Sequence, residues 1–162
     1  MRGTRVLFTL LISSALITSG CGISSPNVKE EVNKQCEELM NCFGKDDTNG
    51  IKNLFCPVVS DSPNFDNNLL EAVEFFEGTV TSYDIKGIGS DQKTEHGNTE
   101  SIHVSPKIWE IETSSGQSYK ISYYAYIVNS DNPEYVGISE IHIKSEDGKE
   151  FKLGDFSLAN PK

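Results

Sequence analysis

The hydrophobic period of this chain changes once, and that change constrains its fold more than any other feature. Up to Gly78 apolar residues recur every three or four positions; from Thr79 onward they recur every second position. Val28, Val32, Cys36, Leu39, Met40 and Phe43 form one stripe, which predicts a helix from about 27 to 43. Pro26 and Asn27 supply a start signal, Glu30 and Glu31 sit in the first turn where the helix dipole favours them, and Gly44 ends it. A short helix is expected from Asp47 or Thr48, with Ile51, Leu54 and Phe55 on one side and Pro57 as its stop. A third is expected from Asp66 to Glu77, with Leu69, Leu70, Val73 and Phe76 inward and Gly78 as its cap.

The second half reads as strands. "TVTSYDIKGIG", "ESIHVSPKIWEIETS", "QSYKISYYAYIVN", "EYVGISEIHIKS" and "KEFKLGDF" are separated by "SDQKTEHGN", "SSG", "SDNP" and "EDG". Each separator is rich in turn residues, so consecutive strands should pair as an antiparallel meander. Val136 and Ile138 share one face while Ile141 and Ile143 share the other, which predicts a bulge near Ser139–Glu140. Pro106 interrupts the second strand, and a kink is expected there. The expected class is α+β: three N-terminal helices packed on a curved antiparallel sheet of about five strands.

The first 20 residues belong to neither half. Arg2 and Arg5 precede an apolar run from Val6 to Ile17, too short to span a bilayer, which needs about 20 residues. Thr18, Ser19 and Gly20 then lead to Cys21. This resembles the lipobox of bacterial lipoproteins, in which the cysteine sulfur receives a diacylglyceryl group and becomes the new N-terminus. Thr18 departs from the motif, which usually has Leu three positions before the cysteine. Two acyl chains hold where one would only dwell, each buried methylene adding roughly 0.8 kcal/mol. The expected organisation is a signal peptide over 1–20, then a lipidated cysteine and tether over 21–27. A single domain over 28–156 and a short tail over 157–162 complete it. The expected address is the extracytoplasmic face of the bacterial cell membrane, with Cys21 as the anchor.

Removing the first 20 residues leaves 142, enough for one domain that buries roughly two-thirds of its unfolded surface. Those 20 hold two of the 14 basic residues and none of the 24 acidic ones, so the remainder carries a net charge of −12. Such a balance repels phosphate backbones and argues against nucleic acid as a partner. With Cys21 consumed, Cys36, Cys42 and Cys56 remain, so one intrachain bridge is the most they can form. Cys36 falls inside the apolar stripe and reads as a buried small hydrophobe. A Cys42–Cys56 disulfide would close a loop of about 14 residues and add roughly 3 kcal/mol.

A particular order recurs: a helix, a short helix ending "LFC", a helix ending "EFFEG", then "SYD", "KIWEIET", "YKISYYAYIVN" and "VGISEIHI". Over roughly Val28 to Phe156 this resembles domain of unknown function 5104, a family of Gram-positive (Firmicutes) lipoproteins in the nuclear-transport-factor-2-like superfamily. The resemblance implies a cone-shaped half-barrel with a cavity between sheet and helices, and it brings no catalytic set. Candidates to line that cavity are Phe76 (or Phe75), Tyr83, Trp109, Tyr123 and Tyr124. Aromatics at this spacing are more often core than ligand box, yet Tyr and Trp suit a pocket with an apolar wall and a polar tip.

Signals for catalysis are sparse. An isomerase of this superfamily needs a carboxylate base facing a hydrogen-bond donor, and Asp84 beside Tyr83 is the pair to test. Neighbouring strand residues point to opposite faces, which argues against their acting together. His142 with Glu140, and His103, are expected on wet faces, and His96 in a turn. The histidines lack metal-ligand spacing, and no phosphate loop or nucleophile elbow is present, so neither metal nor cofactor is expected. The leading reading is a non-enzymatic, membrane-anchored binding module for a small ligand or an envelope protein. The alternatives are a small-molecule isomerase or hydrolase working in the cone cavity, and a structural domain that forms a homodimer.

Overall fold

The computed structural model describes residues 27–160. The signal segment, Cys21 and the tether to residue 26 lie outside the described residues, as do residues 161 and 162. Helix α1 spans Val28–Phe43. Asn27 caps it, its side chain accepting the Glu30 N–H at 3.4 Å. The expected stripe is the buried one: Val32, Cys36, Leu39, Met40 and Phe43. Helix α2 spans Thr48–Leu54, capped by Asp47, which accepts the Gly50 N–H at 2.8 Å. Pro57 does not merely stop it. It opens a further one-turn helix, α3 (Pro57–Ser60), because a proline at the first helical position lacks only an N–H that would be unpaired anyway. Helix α4 spans Phe65–Phe75, so the helical layer has four pieces where three were expected.

Five strands follow: β1 (Val80–Glu95), β2 (Asn98–Thr113), β3 (Ser118–Asn129), β4 (Gly137–Ser145) and β5 (Glu150–Gly154). They pair in sequence order as an antiparallel sheet, so the α+β class and the meander stand. The separator "SDQKTEHGN" is not a loop. All but His96 and Gly97 join the first hairpin, and those two residues take φ of 50° and 82°, a tight turn that continues the strand twist.

The bulge expected near Ser139–Glu140 is present: Tyr124 faces Glu140 while Ala125 faces Ile138, leaving Ser139 over. Pro106 leaves the β2–β3 register undisturbed; Val104–Ala125 and Lys107–Ser122 keep one offset across it. The irregularity comes later, between Ile108 and Ile111, where Glu110 takes φ 53°. That extra residue returns Ile111 to the buried face, so apolar burial decides the parity.

The core lies between the helices and one face of the sheet. Ile102, Val104, Ile108 and Ile111 of β2, Tyr119, Ile121 and Tyr123 of β3, and Ile141 and Ile143 of β4 all point into it. Phe76 stacks on Tyr119 at 4.5 Å between ring centroids and meets Phe43 at 5.0 Å. Each such burial contributes about 1.5–3 kcal/mol. One glycine seams the two layers together. Gly137 takes φ 125°, and a Cβ there would lie 2.7 Å from the Cys56 nitrogen. Its bareness lets the Cys56 N–H reach the Ile138 carbonyl at 2.9 Å. After β5 the chain folds back in a 3-10 turn, Phe156–Leu158, and packing continues to the buried Ala159.

Candidate functional site

Among the described residues strand β1 pairs only with β2, and α1 packs beside it. Between the start of α1 and the middle of β1 lies an open groove of about 870 Å³. Val28 and Asn33 come from the helix; Tyr83, Asp84, Ile85 and Ile88 come from the strand. Ile85 and Ile88 are three apart, a spacing that regular alternation would send to opposite faces. A register shift at Lys86, between Ile85 and Gly87, lets both line the groove. Burial pushes the Tyr83 hydroxyl above its usual range, with the Glu37 carboxylate and Cys36 adding to the effect. Tyr83 is a neutral donor in a groove of mixed lining, where Lys29, Asn33, Asp84 and Ser90 stand among Val28, Ile85 and Ile88. Asp84 is engaged elsewhere: Lys86 Nζ lies 2.7 Å from its carboxylate and 3.3 Å from that of Glu110. A carboxylate that is exposed and held by a cation is poorly placed to act with Tyr83 as an acid–base pair.

The five candidate aromatics are not brought to one cavity. Phe76 and Tyr123 are each 1 % exposed and belong to the core. The Tyr123 hydroxyl meets Cys36 Sγ at 3.5 Å, and burial holds both the phenol and the thiol neutral, well above their usual pKa. Tyr83 lines the groove. Trp109 and Tyr124 are 40 % and 38 % exposed and lie on the opposite face of the sheet. There they line a second, smaller hollow of about 590 Å³. Phe75 is half-buried, packed between Tyr119 and Phe151.

No disulfide joins Cys42 and Cys56; Cys36, Cys42 and Cys56 are all free and buried. Their settings differ. Cys42 Sγ faces the Asp47 carboxylate at 4.0 Å, while Cys56 starts α3 with its backbone tied to β4. Burial raises the pKa of each thiol, which keeps it protonated and unreactive at neutral pH.

Of the side chains expected to be wet on the outer face, His142 is exposed, while Glu140 is buried and His103 half-buried. Glu140 is buried beneath His142, whose Nε2 lies 2.5 Å from one carboxylate oxygen. The other oxygen accepts from Lys152 Nζ at 3.1 Å and from the Phe156 N–H at 3.2 Å. Burial opposes the charge on Glu140, yet these three donors together hold its pKa below the ordinary value. His103 stacks on Tyr124 at 5.8 Å and is covered by Phe156 at 5.6 Å. Burial therefore depresses its pKa. His96 is exposed in its turn, as expected. The Phe156 cover comes from the far end of the chain, which strand alternation does not reveal.

Among the described residues no group of three or more His, Cys, Asp and Glu is disposed to hold a metal ion. No helix among them is long and apolar enough to cross a membrane. No curated protein matches the chain at a significant level. The family model described as "Domain of unknown function (DUF5104)" matches residues 38–147, from the middle of α1 to the turn after β4. The chain belongs to the DUF5104 family.

Proposed function

We propose that this protein is a lipoprotein of the extracytoplasmic membrane face and a non-enzymatic binding module. In this reading Cys21 carries the lipid, and the helices and sheet form the cone-like half-barrel of the nuclear-transport-factor-2-like superfamily. The α1–β1 groove is the binding site, and it accepts a small amphipathic ligand with an apolar part against Val28, Ile85 and Ile88 and a polar group that Tyr83 can donate to. The observation that supports this most is the groove itself. Val28, Ile85 and Ile88 give it an apolar patch beside Lys29, Asn33 and Ser90, where the sheet interior is otherwise filled by Tyr123 and its neighbours, and it opens at the start of α1. Pockets of several hundred Å³ with apolar walls and few polar groups are the usual form of small-ligand sites.

Native mass spectrometry of residues 22–162 purified from a bacterial host tests the binding reading. The expected spectrum shows a stoichiometric added mass that disappears in Ile88→Glu. An unadorned protein that also fails to bind a neutral apolar dye such as Nile red sinks it. The address has its own test: Cys21→Ser should move the protein from the membrane to the soluble fraction, and continued membrane association of that variant would overturn the anchor.

A further inference from the structure

The outer face of the sheet carries a pattern that neither the core nor the groove explains. Its register aligns Lys107 with Ser122, Ser122 with His142, and His142 with Lys152, one row across β2, β3, β4 and β5. In the neighbouring row Lys120 stands directly opposite Lys144. Like charges placed directly opposite destabilise a sheet, and this chain, with a net charge of −10, has collected four lysines in one hollow. The small Ser122 forms its floor, so the long side chains around it make a depression rather than a ridge. Glu150 pairs with Lys144 at 2.6 Å and Glu140 with Lys152 at 3.1 Å. Lys107 and Lys120 enter none of the ion pairs among the described residues.

The same hollow has flat walls. Trp109 and Tyr124 both line it, and Lys120 Nζ rests 5.4 Å from the Trp109 ring centroid. Trp109 shares this face with Lys107 by ordinary strand alternation, and the β2 bulge follows it at Glu110, which takes φ 53°. Non-glycine residues in that region of backbone space are uncommon and carry a cost.

We propose that this hollow binds a phosphate monoester carried on a flat ring. Lys107 and Lys120 meet the phosphate over Ser122, and Trp109 and Tyr124 stack on the ring. Two uncompensated cations match the charge of about −1.5 to −2 that a phosphate monoester bears at neutral pH. An aromatic platform beside them favours a ring over a bare anion. The site shares no residue with the α1–β1 groove, so the two stand or fall separately.

Trp109 is the chain's single tryptophan, so its fluorescence reports on this site alone. Residues 22–162 are titrated with phenyl phosphate at low salt, alongside phenol and inorganic phosphate. The expected result is saturable quenching by phenyl phosphate at concentrations where phenol gives only collisional quenching. Raising the ionic strength should weaken it. The double substitution Lys107→Gln, Lys120→Gln should raise the midpoint about tenfold without lowering the thermal unfolding temperature, since it removes the like charge opposite Lys144. Ile88→Glu, which alters only the other groove, should leave the midpoint where it is. Four results overturn the proposal: no saturation, equal quenching by phenol, an unchanged midpoint in the double variant, or a concentration-dependent dimer in sedimentation that buries Trp109 without ligand.

Discussion

Tyr123 and Tyr124 are neighbours in sequence and opposites in setting, and they stand for the two faces of the sheet. Tyr123 is sealed against Cys36 under the helices; Tyr124 lies on the outer face with Trp109, the lysines and His103. From β2 to β4 the inner face is apolar and filled. The outer face is a mosaic of aromatic rings and charges, buried only where Phe156 covers it. From β2 to β4 the inner face therefore carries stability, and the outer face, like the α1–β1 groove at the sheet's edge, is left free for a ligand. Substitutions on the two faces should separate along that line.

The largest effect is expected from Tyr123→Ala, which empties a fully buried site and should cost about 3–5 kcal/mol in urea unfolding. Tyr124→Ala should cost about 1 kcal/mol or less, and equal losses at the two sites would break the comparison. Next comes Gly137→Ala, which sets a Cβ against the Cys56 nitrogen at φ 125° and should cost about 2–4 kcal/mol. A neutral result would mean the helical layer is not seamed to β4 there.

Glu140→Gln should cost about 1–2 kcal/mol, because Lys152, His142 and the Phe156 N–H lose a charged acceptor. It also sharpens the pH dependence. The folded carboxyl has a lowered pKa, so its contribution is complete above the ordinary value of 4.5 and fades as pH falls through the folded one. The wild type should lose stability over that range, and the variant should lose less. A wild-type acid limb that the substitution leaves intact would remove Glu140 from the account.

The smallest effect belongs to His103. Its folded pKa is depressed, so the unfolded chain takes up the proton first as pH falls below 6.5. Stability should decline gently below that point, and His103→Phe should flatten the slope. An unchanged slope would show that Phe156 does not keep water from the ring.

Much of the fold was legible in residue order. The stripe of α1, the switch of period at Gly78 and the bulge at Ser139 each follow from which apolar residues must share a face. The bulge before Ile111 was equally legible, since Ile108 and Ile111 are three apart, and the same spacing marks Ile85 and Ile88. The candidate sites were less so. Tyr83 is the one candidate aromatic that lines the α1–β1 groove, because alternation groups aromatics by parity within a strand and says nothing about which face the helices will cover.

By itself, then, the sequence determined the class, the order of the strands and the apolar stripe of α1, since these depend on periods of a few residues; it did not reveal α3, and Leu70, expected inward, is exposed. Only the tertiary structure decided that Lys107, Ser122, His142 and Lys152 form one row, that Phe156 returns to cover His103, and that Cys42 and Cys56 stay apart. Those facts join residues distant along the chain, and their alignment is set by cross-strand register and by the bulges that reset it, quantities that one strand read alone does not contain.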